Sequence, residues 1–184
     1  MNNKCQFSII GPGVMGEAII KGLLKNKVVV ASCIITAGPR QERLDELQQR
    51  YQIQTTLENK SSVDQADVVI LCIKPQKFTL VMNELNNHIP PDALVISIIA
   101  GATLDSLITG LKHTAVVRSM PNTPAQIGEG MTVWTHRPDV TEQQHNLARQ
   151  ILAALGEEIF VDDESYIDMA TAVSGTGPAY VFLF

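Results

Sequence analysis

The sequence is poor in the features that mark several classes of protein. It has no run of basic residues and carries a formal net charge of −5, which argues against general binding of nucleic acid. None of its apolar runs reaches the ~18 residues that suggest a membrane-spanning helix, so we expect no membrane partner. The first apolar run is too short for a signal peptide and favours a strand instead.

Cysteine and histidine are also scarce. The three cysteines, Cys5, Cys33 and Cys72, are odd in number and scattered, which is unlike a disulfide framework. Free thiols within apolar, strand-like segments are typical of cytoplasmic proteins, and we expect that location. The four histidines show no ligand spacing, so we expect no metal.

Apolar, β-rich runs alternate with amphipathic helical segments along the chain. The runs at 68–73 and 94–98 are typical of parallel strands that are buried on both faces. A helix is predicted at 41–51, and a capping box of Thr141 and Gln144 predicts the start of another. This βαβ alternation predicts an α/β protein with a doubly wound, mostly parallel sheet.

A Gly-x-Gly-x-x-Gly motif at 11–16 follows the strand predicted at 7–10 and precedes a helix. In such a motif Gly11 permits a tight turn, Gly13 lets the backbone approach a pyrophosphate, and Gly16 lets the helix pack against the strand. The helix N-terminus then offers free N–H groups to the phosphates. The motif indicates dinucleotide binding, and a purely structural glycine turn is the alternative.

The end of the second predicted strand, at 33–36, bears on the choice of dinucleotide. An NAD site usually has Asp or Glu about 20 residues after the glycines, where it binds the ribose 2′-hydroxyl. Residues 37–40 contain no carboxylate, and Arg40 and Arg43 offer guanidinium groups to a 2′-phosphate instead. The sequence therefore favours NADP over NAD. The alternative is that both arginines are solvated residues of the next helix.

Two further residues lie where strands are predicted to end, which is where ligands bind in this class of fold. Lys74 could act as a general acid, or could contact a nucleotide through its backbone alone. Asn122 lies between Pro121 and Pro124, in a loop predicted to follow a strand that ends at Arg118. Its side chain could bind a carboxamide or a substrate, and a rigid structural loop is the alternative.

Six segments together resemble the pyrroline-5-carboxylate reductase family. In the family's order they are Gly-Pro-Gly-Val-Met-Gly at 11–16, Ile-Lys-Pro-Gln at 73–76, Ala-Gly at 100–101, Arg-Ser-Met-Pro-Asn-Thr-Pro-Ala at 118–125, Gly-Glu-Gly-Met-Thr at 128–132 and Ala-Val-Ser-Gly-Thr-Gly-Pro-Ala-Tyr-Val-Phe at 172–182. The resemblance covers essentially the whole chain. Its Met-Pro-Asn-Thr-Pro and Ser-Gly-x-Gly-Pro-Ala-Tyr segments are far more specific than the glycine motif.

The resemblance implies a Rossmann-type domain at 1–162 and the NAD(P)H-dependent reduction of 1-pyrroline-5-carboxylate to L-proline, the last step of proline biosynthesis. By the family's pattern, Asn59 would lie near the adenine and Ala100 near the nicotinamide. The family usually has Ala where this chain has Cys72. The implied cofactor contacts are Ile10, Gly11, Pro12, Gly13, Val14, Met15, Gly38, Arg40, Asn59, Cys72, Ile73, Lys74 and Ala100. The candidates for a substrate loop are Pro121, Asn122, Ser174, Gly175 and Thr176, of which Asn122 is also a catalytic candidate.

A helix is predicted to begin at Pro178, and its apolar run stops at Phe184. We expect residues 163–184 to be the start of a truncated helical domain. The resemblance implies that this domain forms a homodimer or a higher homo-oligomer and supplies most catalytic groups. A chain ending at Phe184 is therefore expected to have little reductase activity by itself.

Two other functions fit parts of the sequence. A β-hydroxyacid dehydrogenase shares the glycine-rich start, but it needs a catalytic lysine after the nucleotide domain, and no lysine follows Lys112. A non-catalytic module that binds NADP is the second alternative. It would bind nucleotide without turning over a substrate.

Overall fold

A computed structural model of the chain describes residues 5–175. These residues form an eight-stranded sheet in the order β3-β2-β1-β4-β5-β6-β7-β8. All neighbouring strands are parallel except β6 and β7. The predicted doubly wound, mostly parallel sheet is confirmed.

The strands are β1 (Phe7–Ile10), β2 (Ile34–Ala37), β3 (Gln54–Thr56), β4 (Val68–Leu71), β5 (Leu94–Ser97), β6 (Val116–Pro121), β7 (Gly130–His136) and β8 (Gly156–Phe160). The α-helices are α1 (Val14–Lys25), α2 (Gln41–Tyr51), α3 (Asn59–Val63), α4 (Phe78–Leu85), α5 (Leu104–Leu111), α6 (Glu142–Ala153) and α7 (Ser165–Ala170). A single π turn, Thr171–Gly175, follows α7. Across residues 5–175 no helix is long and apolar enough to cross a membrane.

The central strands are buried and largely apolar because helices cover both faces of the sheet. Every residue of β1 and β4 is buried. Successive side chains of a strand point to opposite faces, so one strand contributes to two cores. In β1, Ile9 belongs to the core on one face and Ile10 to the core on the other. In β4, Ile70 and Leu71 divide in the same way.

Strand β6 is longer than the sequence analysis predicted. We expected it to end at Arg118 and a loop to follow, but the strand continues to Pro121. The extension results from antiparallel pairing with β7, in which Pro121 lies opposite Thr132. Proline is tolerated there because the pairing of β6 with β5 ends at Arg118, so that Pro121 has a neighbouring strand on one side only. The short strand β3 and the helices α3 and α4 were not predicted.

Helix α7 is attached to the sheet through a buried guanidinium group. The Arg118 side chain is 4% exposed and donates to Glu164 at 2.8 Å and to Asp168 at 2.5 Å. Glu164 also accepts the N–H of Leu104, at 2.7 Å, in the first turn of α5. One carboxylate thus joins a strand and two helices. The helix predicted at Pro178 and the apolar run after it lie outside the described residues.

Two glycines within helices show how closely α1 and α5 pack against their neighbours. A Cβ added at Gly22, in α1, would lie 2.6 Å from the carbonyl oxygen of Ala154. One added at Gly110, in α5, would lie 2.9 Å from Cγ and 3.1 Å from Cβ of Met82, a buried side chain. Backbone cannot move aside as easily as a methionine side chain can.

We therefore predict a larger loss of stability at Gly22 than at Gly110 for the same change. Alanine normally stabilises a helix by about 1 kcal/mol relative to glycine. Gly22→Ala is expected to lower the free energy of unfolding by about 1–3 kcal/mol, because overpacking outweighs that gain. Gly110→Ala, the matched control, is expected to change stability by less than about 1 kcal/mol. Urea denaturation measures both, and an equally stable Gly22→Ala protein would contradict the packing described here.

Candidate dinucleotide-binding site

The loop after β1 is folded tightly against the end of β4. Gly11 has φ +96°, and a Cβ there would lie 2.8 Å from the carbonyl oxygen of Cys72. A Cβ at Gly16 would lie 2.5 Å from the carbonyl oxygen of Gly11. Both positions therefore exclude larger residues, as the motif predicted.

Gly13 is different, because it borders open space. A Cβ built there has no atom within 4 Å, and the backbone φ of −79° suits any residue. Gly13 is the N-cap of α1, whose first N–H groups have no partner within the helix. These groups and the positive end of the helix dipole suit an anion such as a pyrophosphate. The open space at Gly13 is where such a group would fit.

At the end of β2, the two arginines have different surroundings. Arg40 is exposed and directly precedes α2. Arg43 is mostly buried and donates from Nε to the carbonyl oxygen of Pro12 at 3.0 Å. Its two terminal nitrogens donate to Glu46, at 2.7 Å, and to Glu17. Arg43 is thus bound to protein groups, so Arg40 is the better placed of the two for a 2′-phosphate.

Gly38 is buried and packs against Pro12, so it does not offer an open surface to a ligand. A Cβ there would lie 2.4 Å from Cδ of Pro12. Its N–H donates to the carbonyl oxygen of Thr56 at 3.2 Å. The end of β2 can therefore approach the glycine loop only with a glycine at this position.

Sequence reasoning did not find the polar cluster that surrounds Arg43. Glu17 in α1 accepts from Arg50 at 2.5 Å and from the hydroxyl of Tyr51 at 2.9 Å, as well as from Arg43. Burial raises the pKa of Glu17, but these hydrogen bonds outweigh it and hold the pKa below its ordinary value. The spacing in the sequence could have indicated this cluster, since Arg43 and Arg50 are seven residues apart and so lie on one helix face.

The segment after β4 approaches the glycine loop through its backbone. The N–H of Cys72 donates to the carbonyl oxygen of Ile10 at 2.8 Å. Burial raises the pKa of the Cys72 thiol to about 12, so the thiol stays protonated at neutral pH and is no nucleophile. Ile73 is half-buried and Lys74 is exposed.

Ala100 lies beside a shallow pocket at the same edge of the sheet. The pocket has a volume of about 320 Å³, and its lining includes Pro75, Phe78, Ile99 and Ala100. Apolar side chains share the lining with Thr79 and Ser106, so the pocket, next to the ends of β4 and β5, suits a flat ring that carries a polar group. The predicted contact of Ala100 with a nicotinamide is compatible with this position.

The side chains of both candidate asparagines form hydrogen bonds with other residues of the protein. Nδ2 of Asn59 donates to Glu84 at 2.7 Å. Oδ1 of Asn122 accepts the N–H of Met131 at 2.9 Å and so joins the end of β6 to the start of β7. This bond gives Asn122 a structural role, and its contact with a substrate stays a prediction.

Three of the predicted substrate-loop residues lie at or beyond the end of the described residues. Gly175 ends the π turn, while the side chain of Ser174 and the whole of Thr176 lie outside the description. In the described part of the chain, no group of three or more His, Cys, Asp or Glu residues is placed to hold a metal ion.

The fold and this loop define a class, the Rossmann-type dinucleotide-binding proteins, and comparison with known proteins narrows it. Residues 6–101 match the family described as NADP oxidoreductase coenzyme F420-dependent. Pyrroline-5-carboxylate reductase from Synechocystis is 39% identical over 178 residues, which are 97% of this chain and 66% of that protein. The chain thus spans just under two thirds of the length of this relative.

Solved structures give the same result. A pyrroline-5-carboxylate reductase from Coxiella burnetii superposes with a TM-score of 0.92 at 34% identity, covering 98% of this chain and 67% of that one. The Plasmodium falciparum pyrroline carboxylate reductase, described with NADP bound, has a TM-score of 0.86 at 25% identity, covering 99% of this chain and 66% of that one. The chain belongs to the pyrroline-5-carboxylate reductase family, as its motifs predicted.

Substitution of Gly13 tests whether the pyrophosphate binds in the open space beside it. In Gly13→Val the side chain would occupy the space proposed for the pyrophosphate without a clash in the protein, so we expect a native fold that no longer binds nucleotide. Circular dichroism and fluorescence titration with NADPH measure the two properties. Gly11→Ala is the comparison variant, and it should instead lose about 1–3 kcal/mol of stability. Unchanged nucleotide affinity in a folded Gly13→Val protein would show that the pyrophosphate does not bind there.

Proposed function

We propose that the protein reduces 1-pyrroline-5-carboxylate to L-proline with a nicotinamide cofactor, as the last step of proline biosynthesis. The observation that carries this proposal is the 39% identity to a pyrroline-5-carboxylate reductase along 97% of the chain. The glycine loop supports it independently, because its open space and helix N-terminus suit a dinucleotide.

In this reaction the bound nicotinamide would supply a hydride to the carbon of the C=N bond. The described residues would act by binding and orientation. The N-terminal N–H groups of α1 would hold the pyrophosphate, and the backbone at Cys72 and Lys74 would border the cofactor. The pocket beside Ala100 would hold the nicotinamide ring. The candidates for binding the substrate are Pro121, Asn122, Ser174, Gly175 and Thr176.

We further propose that NADPH is preferred over NADH. The end of β2 carries no carboxylate for a ribose 2′-hydroxyl, and Arg40 is exposed beside it. A guanidinium group pairs well with a 2′-phosphate. The relative from Plasmodium falciparum is described with NADP bound, which is compatible with this preference.

The domain boundary, the oligomeric state and the cellular location are proposed from the sequence and from its resemblance to the family. Residues from 163 onward would begin a helical unit, through which the full-length enzyme would form a homodimer or a higher homo-oligomer. The protein would act in the cytoplasm, where its three free cysteines stay reduced. A non-catalytic module that binds NADP is the alternative function, and turnover distinguishes the two.

The preference for NADPH is tested at Arg40. We expect NADPH to bind more tightly than NADH, and Arg40→Ala to weaken NADPH about tenfold while leaving NADH unchanged, since only NADPH carries the 2′-phosphate. Fluorescence titration gives both dissociation constants. Arg137→Ala, which removes an exposed arginine after β7, is the matched control. Equal affinities of the unaltered protein for the two cofactors would refute the preference.

The reaction is tested by following NADPH oxidation in the presence of 1-pyrroline-5-carboxylate. Two proteins are assayed: the 184-residue chain, and the same chain continued by the C-terminal third of the Synechocystis relative. We expect turnover by the joined protein and little or none by the shorter chain. Equal rates would place the whole site within residues 1–184. A joined protein that folds and binds NADPH but has no turnover would favour the non-catalytic module.

A further inference from the structure

We propose that Arg43 is a positioning residue that fixes the glycine loop for the pyrophosphate, and that it does not bind the 2′-phosphate. The inference rests on the proposed dinucleotide binding and assigns a separate task to each of the two arginines near β2. Arg40 would recognise the 2′-phosphate, which only NADPH carries. Arg43 would support binding of the pyrophosphate, which NADH and NADPH share.

The contacts of Arg43 use every nitrogen of its guanidinium group. Nε donates to the carbonyl oxygen of Pro12 at 3.0 Å, Nη1 donates to Glu46 at 2.7 Å, and Nη2 donates to Glu17. The side chain is 16% exposed. Its planar fork therefore joins the glycine loop, α1 and α2 at one point. Lysine carries its three donors on a single nitrogen and so lacks the spacing of this fork.

Pro12 is the residue of the loop through which this support would act. Proline has no N–H, so its carbonyl is its only backbone group that forms hydrogen bonds. Its ring is held against Gly38, where an added Cβ would lie 2.4 Å from Cδ. The carbonyl belongs to the same planar peptide as the N–H of Gly13, which donates to Gly11 at 2.8 Å. A bond that fixes the Pro12 carbonyl thus fixes the peptide that leads into α1.

The same cluster controls the charge next to the proposed phosphate site. Glu17 lies in the first turn of α1, where an unpaired carboxylate would repel an anion bound at the helix N-terminus. Arg43 and Arg50 both pair with it, and the hydroxyl of Tyr51 donates to it. Arg43 therefore holds the loop and also neutralises a carboxylate in the first turn of α1.

Arg50 provides a control within the same helix. It pairs with Glu17 and Glu46, as Arg43 does, at 2.5 and 2.7 Å, but the contacts found for it do not include the loop. Arg43 differs from Arg50 in its bond to Pro12 and in its burial, since the side chains are 16% and 51% exposed. Arg43→Gln and Arg50→Gln each remove one positive charge from the cluster, so comparing them separates the loss of charge from the loss of the support that Arg43 gives to the loop.

The experiment measures the dissociation constants of NADPH and NADH for the unaltered chain, Arg43→Gln, Arg43→Lys and Arg50→Gln. We expect Arg43→Gln to weaken both cofactors by the same factor, about tenfold, so that their ratio stays constant. Arg43→Lys should fail to restore affinity, and Arg50→Gln should change it less than about twofold. Circular dichroism verifies the fold of each variant.

A second probe, 2′-AMP, carries the 2′-phosphate but lacks a pyrophosphate. We expect Arg43→Gln to bind it as the unaltered chain does, and Arg40→Ala to bind it more weakly. Loss of 2′-AMP binding or selective loss of NADPH in Arg43→Gln would make Arg43 a phosphate ligand and overturn the proposal. Unchanged cofactor affinity, or an equal loss in Arg50→Gln, would overturn it too. If the unaltered chain bound neither cofactor, the proposed function itself would fail.

Discussion

The arrangement of this protein depends on close approach between backbone segments at the carboxyl ends of β1, β2 and β4. At Gly11, Gly16 and Gly38 an added Cβ would lie 2.8, 2.5 and 2.4 Å from a neighbouring atom. Such distances are too short for any real side chain. The absence of side chains therefore lets three strands and the start of α1 approach one another. Open space borders Gly13, the N-cap of that helix.

Around this contact, charged side chains join elements that the sheet alone would leave separate. The cluster of Glu17, Arg43 and Arg50 joins α1 to α2 and contacts the glycine loop. On the other side of the molecule, Arg118 and Glu164 join β6 to α7 and to the first turn of α5. Guanidinium groups suit this role because their several donors keep a fixed geometry.

Much of the fold could be predicted because its signals are local. The alternation of buried runs and amphipathic helices follows from periods of two and 3.6 residues, and α2 was predicted with its observed bounds, Gln41–Tyr51. Helix α6 begins at the predicted capping box of Thr141 and Gln144. The three-residue strand β3 was missed because so short a run shows no periodicity. The extension of β6 was missed because it depends on pairing with β7.

The sequence by itself determined the class of fold, the position of the glycine loop and, through its specific motifs, the family. These follow from residue types at fixed spacing, which local sterics translate into turns and helix starts. Only the tertiary structure decided what each polar side chain contacts. It separated Arg40 from Arg43, two residues that look alike in sequence, because α2 turns one toward Glu17 and leaves the other exposed. It also bound Asn122 to Met131, since that contact depends on where β7 returns beside β6.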